Sequence, residues 1–232
     1  KRKCKIIGVS TGGELLKFLK INNYNDLVLL PKGLQPRAAL GYSFSLIMLL
    51  LNKLKFINKN IIDDLKKSIK PLLVQTKENS DFKNKNNPAY SIALKIIGKI
   101  PIIYAQDGVY DVIAYRFKCQ LAENSKILAF NNVIPEMNHN EIEAFSDKNN
   151  FSKKIILIWI TDSTYHTRNK KRIAITSKIL KKEIKNQISL NIKYSKNKIS
   201  HYLQYILFFD WISYYCAILN KIDPSIIPNI NK

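Results

Sequence analysis

Three side chains in this sequence stand where proton transfer and charge stabilisation would need them. Glu123 lies in Gln120-Leu-Ala-Glu-Asn-Ser-Lys126, at the C-terminal end of an expected helix. A carboxylate there opposes the partial negative charge of the helix end, a placement mildly unfavourable for its charge and suited to a proton acceptor. A single Glu in such a position is more often a solvated neighbour of a residue like Lys126. His139 sits in Pro135-Glu-Met-Asn-His-Asn-Glu-Ile142, between Asn138 and Asn140. Alone, a His in a polar turn is usually solvated or capping, yet imidazole is the side chain best suited to moving protons near neutral pH. Arg37 falls in Gly33-Leu-Gln-Pro-Arg-Ala-Ala-Leu-Gly41, and only five of the 38 basic residues are arginine. Pro36 before it suits a first helical turn. A guanidinium beside a helix N-terminus can hold an anion, or it makes an ordinary helix-end salt bridge.

The elements that would position these residues read as alternating strands and helices. Cys4–Ser10 is a β-branched run that ends in Ser10-Thr11-Gly12-Gly13, and a helix follows over Glu14–Lys20. A glycine turn at a strand's C-terminal end is where open α/β sheets bind ligands, although the turn alone is a weak signal. Leu27–Leu30 reads as a second strand. Pro36–Leu54 reads as a long helix whose wide apolar face should be buried on most sides. Ile61–Leu73 is amphipathic, and the polar, low-complexity run Lys77–Asn87 reads as a loop or boundary. Beyond it the pattern gives helices over Pro88–Lys99, Val109–Ser125, His166–Lys185 and Ser200–Asn220, and strands over Ile100–Ala105, Ile155–Ile160 and Ile188–Ile192. The continuous apolar run Ile155–Ile160 suits a central parallel strand. The fold class is therefore α/β, a parallel sheet covered on both faces. The aromatic final helix reads as core or subunit interface, and His166 and His201 receive no role.

Bulk composition narrows the classes. A hydrophobic content of 46% supplies a buried core. No apolar run reaches the roughly 18 residues of a membrane span, and no secretory leader is expected at the start. Cys4, Cys119 and Cys216 are far apart and lack metal spacing, which fits three buried thiols in a reducing, cytoplasmic compartment. The net charge of +21 is almost all lysine, spread along nearly every helix and accompanied by abundant Ile and Asn. That pattern reads as biased surface composition or attraction of small anions, rather than nucleic-acid or membrane binding.

Five segments, in order, resemble the bifunctional phosphoglucose/phosphomannose isomerases of the sugar isomerase (SIS) fold: VSTGG, GLQPRAALGYSF, RFKCQLAENSK, IPEMNHNEIEAF and YLQYILFFDWISYYCAILNKIDP. The resemblance implies a three-layer αβα sandwich with parallel sheets. Residues 1–56 would be the C-terminal part of a first SIS domain, and 57–232 a complete second one with its polar loop at about 77–87. It implies aldose–ketose isomerisation of glucose 6-phosphate and mannose 6-phosphate with fructose 6-phosphate through an enediolate. Glu123 would be the base and Arg37 the stabiliser of enediolate charge. His139 would assist ring opening, supplied across the interface of a homodimer. Ser10, Thr11, Gly12 and Gly13 would contact the substrate, and no metal or organic cofactor is implied.

Departures accompany the resemblance. Ala122 stands where the family has Asn. The family's Ser/Thr-rich phosphate loop would lie before residue 1. Its C-terminal Lys would fall two residues beyond Lys232, so Lys232 substitutes only if the tail shifts. The stretch from Asn58 to Asn87 looks like an inserted loop. The alternative to an isomerase is a non-catalytic SIS-type module that binds a sugar phosphate without turning it over.

Overall fold

A computed structural model describes residues 6–24, 26–82, 84, 86–145 and 152–230. Cys4 and Lys232 lie outside these. The chain divides into two compact units, Lys1–Ile62 and Asp63–Lys232.

In the first unit, β1 (Gly8–Ser10) leads through the glycine turn into α1 (Gly13–Ile21). The chain then returns as β2 (Leu27–Leu29), parallel to β1 with Val9 opposite Val28. Pro36 opens a 3-10 helix, Pro36–Ala39, that passes into α2 (Leu40–Lys53). The expected burial of this helix is not found. No residue of α2 is fully buried, and Tyr42, Ile47 and Leu49 are exposed. Its apolar girth exceeds what a two-stranded sheet can cover, and an open groove remains between β2 and α2.

The second unit is built around a four-stranded parallel sheet in the order β4-β3-β5-β6. Helix α3 (Lys59–Ser80) leads into it. The inserted loop expected over 58–87 is mostly helix, because α3 runs to Ser80; of the polar loop expected over Lys77–Asn87, residues 77–80 belong to that helix. Lys77, Glu78 and Ser80 occupy the solvent side of its last turn, where low hydrophobicity is compatible with helix, and Asn79 faces inward. Next come α4 (Pro88–Ile96), β3 (Ile100–Gln106), α5 (Val109–Ser125) and β4 (Phe130–Ile134). Two 3-10 helices, Glu136–Asn138 and Glu141–Phe145, precede β5 (Ile155–Ile160). The chain closes with α6 (Thr167–Leu180), β6 (Gln187–Leu190) and α7 (Lys198–Leu219).

The strand chemistry explains the order. The buried residues Ile156–Ile160 make β5 a central strand, paired with β3 and β6. Pro101 cannot donate to a ladder. It lies in β3 one residue before the pairing with β4 begins at Ile102 opposite Phe130, so β4 loses no bond to it. The connections β3–α5–β4 and β5–α6–β6 run in opposite directions along the sheet. Right-handed crossovers therefore place α5 and α6 on opposite faces. Helix α7 packs against α5, and α4 against α7, which gives three layers. Helix α7 is apolar around most of its circumference. Tyr205, Phe209, Ile212, Tyr215 and Cys216 are fully buried in the core it shares with Phe117 and Leu121 of α5. Of the expected thiols, Cys216 is buried but Cys119 is only half-buried, because α5 turns that face toward solvent. Among the described residues no helix is long and apolar enough to cross a membrane.

Candidate active site

Glu123 stands in the last turn of α5, half-buried, on a helix end held from several sides. One face of α5 is bolted to α7. Arg116 Nη2 donates to Asp210 Oδ2 at 3.0 Å and Gln120 Nε2 to Asp210 Oδ1 at 2.7 Å. Asn124 Nδ2 reaches Ser213 Oγ at 2.9 Å, and Ser125 Oγ donates to Ser213 O at 2.6 Å. Residues 116, 120 and 124 are one helical row, so Glu123 stands beside a fixed seam. Burial raises the Asp210 carboxyl above its ordinary value, against the pull of Arg116 and Gln120. The helix stops because Lys126 turns left-handed (φ 56°), and Ile127 N then donates back to Leu121 O at 3.1 Å. From that position Lys126 Nζ donates to Glu123 O at 2.6 Å and to Ile226 O at 2.5 Å. The second bond ties down the C-terminal tail. Ile227, Pro228, Asn229 and Ile230 wall a cleft of about 360 Å³ whose other side is Ala122, Glu123 and Lys126–Leu128. The Glu123 side chain is thus half-buried on an open cleft, with a largely apolar tail as one wall.

His139 follows the 3-10 helix after β4 and is exposed; its N–H donates to Glu136 O at 2.9 Å. Helix α5 leaves the C-terminal end of β3 and runs back to the start of β4. Glu123 therefore stands at the edge where strands begin, and His139 at the edge where they end. The five residues of β4 alone separate these edges by roughly 17 Å. One copy of the chain does not bring Glu123 and His139 together.

In the first unit, Ser10, Thr11, Gly12 and Gly13 form a tight turn at the C-terminal end of β1. Gly12 N donates to Ser10 Oγ at 3.0 Å, and Ser10 Oγ to Gly12 O at 2.8 Å. Positive φ at Gly12 (140°) and Gly13 (68°) explains both glycines. The turn caps α1, whose N-terminus favours negative charge. Lys32 also reaches it: a Cβ placed on Gly12 would lie 3.6 Å from Lys32 Cε and 4.0 Å from its Nζ. Lysine abundance hid Lys32 in the sequence, because one Lys among 33 carries no signal. Arg37, half-buried, sits in the 3-10 helix beyond β2, not at the N-terminus of a long α-helix.

The crevice between the C-terminal ends of β3 and β5, where the crossovers diverge, is the usual ligand position in such sheets. Here the protein's own side chains cross it. Gln106 Oε1 accepts from His166 N at 3.0 Å and Asn169 Nδ2 at 3.1 Å, and Gln106 N donates to Tyr165 OH at 3.4 Å. His166 is the exposed cap of α6, which ends at Leu180 instead of Lys185. His201, given no role from sequence, is buried beside Asp162, with Nε2 and Oδ2 2.6 Å apart. Tyr205 OH donates to Asp162 Oδ2 at 2.9 Å, and Thr164 N and Oγ1 donate to Asp162 Oδ1 at 2.8 and 2.6 Å. Burial opposes the Asp162 charge, but the bonds from Thr164, His201 and Tyr110 outweigh it and hold its carboxyl below the ordinary value. Burial pushes the Tyr110, Tyr165 and Tyr205 hydroxyls above their ordinary range, so they remain neutral. This cluster is a structural lock. Among the described residues no group of three or more His, Cys, Asp or Glu is arranged to hold a metal.

A parallel αβα unit of this order, preceded by a second βαβ unit with a glycine turn, is the architecture of the SIS-type sugar isomerases. Residues 85–232 match the family described as the bacterial phospho-glucose isomerase C-terminal SIS domain. The bifunctional phosphoglucose/phosphomannose isomerase of Caldicellulosiruptor bescii is 34% identical over 230 residues, 98% of this chain and 66% of that protein. Its namesake from Aquifex aeolicus is 31% identical over 232 residues, 100% of this chain and 67% of that one. A crystal structure of a glucose-6-phosphate isomerase-like protein from Thermus thermophilus shares the fold, with a TM-score of 0.60 at 12% identity, covering 88% of this chain and 69% of that one. The chain belongs to the bifunctional phosphoglucose/phosphomannose isomerase family, and it spans about two thirds of the length of the relatives it matches.

Proposed function

We propose that the protein carrying this chain is a cytoplasmic aldose–ketose isomerase that interconverts glucose 6-phosphate and mannose 6-phosphate with fructose 6-phosphate. The observation that carries the reading is Glu123, fixed on the bolted end of α5 and lining a cleft walled by the C-terminal tail. Its carboxylate removes the proton at C2 of the open-chain aldose. The electrons move to O1 as the enediolate forms; the same group returns the proton to C1 while the O2 proton passes to O1, which leaves C2 as the ketone carbonyl. Glucose and mannose phosphates differ at C2, so both collapse to one enediolate. Arg37 offsets the developing oxyanion charge. The Ser10–Gly13 turn contributes N–H and hydroxyl groups to the substrate. The tail that walls the cleft leads on to Lys232, to which we assign a substrate contact.

His139 assists ring opening from a second copy of the chain. The separation of Glu123 and His139 across the sheet supports this reading, since a homodimer supplies each site with both residues. An assay coupling fructose 6-phosphate formation to a detectable product tests the function. Glucose 6-phosphate is turned over by the wild type, and Glu123→Gln loses about 10²–10⁴-fold in rate. Equal activity in the two would remove Glu123 as the base.

A further inference from the structure

The C-terminal tail that walls the Glu123 cleft is hydrogen-bonded there through one side chain. Building on the isomerase reading above, we propose that Lys126 is a positioning residue for the substrate. Its ammonium latches residues 226–230 to the helix end that carries the base.

The tail has little else to hold it. Helix α7 ends at Leu219, and Lys221 turns left-handed (φ 56°), with Ile222 N donating back to Ala217 O at 2.9 Å. Asp223 Oδ1 then accepts from Ser225 N at 2.8 Å and from Ser225 Oγ at 2.6 Å, a local turn around Pro224. Beyond it, Ile227 is half-buried and Ile226, Pro228, Asn229 and Ile230 are exposed. Among the described residues, these five make one hydrogen bond to another part of the chain, from Lys126 Nζ to Ile226 O at 2.5 Å. Their other bond, Ile230 N to Ile227 O at 3.1 Å, is local. A segment with so little burial and so few bonds lies at the low-stability end of a fold, where a single contact decides its position.

The latch is anchored at the base itself. Lys126 Nζ donates to Glu123 O at 2.6 Å while it holds Ile226 O. Hydrogen bonds from an ammonium are stronger than neutral ones. The bond to Glu123 O satisfies a carbonyl at the end of α5, which is ordinary helix capping. The bond to Ile226 O does nothing for the helix. It keeps Ile227, Pro228, Asn229 and Ile230 as the wall opposite Ala122 and Glu123. A substrate entering the cleft then meets a surface already in place, and the cost of ordering the tail is removed from binding. A side chain without donors at 126 keeps the helix and frees the tail.

Amide hydrogen exchange of the tail and steady-state kinetics with glucose 6-phosphate, both on the full chain, test the latch and its consequence separately. Lys126 has φ 56°, which suits glycine, so Lys126→Gly leaves the melting temperature unchanged or raised. In that variant exchange at the Ile230 amide speeds up by about tenfold or more. KM for glucose 6-phosphate rises by about tenfold while kcat stays within about threefold, the pattern of lost uniform binding. Lys126→Arg restores both, because a guanidinium still donates to two carbonyls. Unchanged exchange in Lys126→Gly overturns the latch. Faster exchange with unchanged KM overturns the positioning role and leaves the isomerase reading intact. A wild type that turns over no glucose 6-phosphate defeats the isomerase reading and the positioning role with it, whatever the tail's exchange.

Discussion

Replacing Asp162 by alanine tests the reading of the second unit's interior. The carboxylate is 6% exposed and accepts from His201, Tyr205 and both donors of Thr164. Two of these donors keep an alternative. Tyr205 OH also reaches Thr161 O at 2.8 Å, and Thr164 Oγ1 lies 2.9 Å from Tyr110 OH. His201 Nε2 and Thr164 N are left stranded, at about 1–3 kcal/mol each. The expected loss is about 2–6 kcal/mol, the two costs together. Both tryptophans, Trp159 and Trp211, belong to the second unit, so their fluorescence in a urea titration reports on that unit alone. With a slope of roughly 1–3 kcal/mol per molar urea, the midpoint falls by about 1–3 M and the slope is unchanged. The Asp162 carboxyl is held low in the folded state. Its contribution is therefore fully present above the ordinary carboxylate value of about 4, and is lost as pH falls through the lower folded one. The gap between wild type and variant should narrow in acid. A loss below about 1 kcal/mol at neutral pH, or a gap that does not shrink below about pH 4, would refute the lock.

Other expectations follow from individual contacts. Cys216, fully buried with its thiol pushed up to about 12 by desolvation, should resist iodoacetamide at about pH 8 until the protein unfolds, whereas half-buried Cys119 is modified in the native state; mass spectrometry of the labelled peptides distinguishes them. Asn87 caps α4 through Tyr90 N at 3.0 Å and holds Asn79 O and Tyr215 OH, each at 2.8 Å, so Asn87→Ala should lose about 2–3 kcal/mol in the same urea titration. Mixing inactive Glu123→Gln with inactive His139→Asn subunits should restore about a quarter of wild-type activity, if each site of a dimer draws one residue from each copy; no recovery after subunit exchange would place both residues in one chain's site.

The strand–helix alternation was legible because the central strands of the second unit, β3 and β5, are almost wholly buried and read as nearly unbroken apolar runs. Val109–Ser125 and Ile155–Ile160 coincide with their elements residue for residue. Strand β4 was missed for the opposite reason. Phe130-Asn-Asn-Val-Ile134 lies at the sheet edge, and its paired asparagines interrupt any apolar pattern. Helix α3 was cut short at Leu73 because its last two turns, residues 74–80, are mostly polar. Of the proposed site, Glu123's helix end and the glycine turn are local features, so sequence could locate them. The seam from Arg116 to Asp210, the tail pinned by Lys126 and the Asp162–His201 pair join residues 39 to 100 positions apart. No spacing rule connects such residues; only the packing of α5 and the C-terminal edge of the sheet does.

The central claim is that Glu123 carries the proton between C2 and C1. Turnover of glucose 6-phosphate in deuterated water, followed by NMR, tests it directly. The wild type should form fructose 6-phosphate with deuterium entering at C1, as an enediolate with an exchanging carboxyl requires. Glu123→Gln, folded to the same melting temperature, should lose isomerisation and exchange together by about 10²–10⁴-fold. Isomerisation and exchange that persist at the wild-type rate in Glu123→Gln would contradict the account.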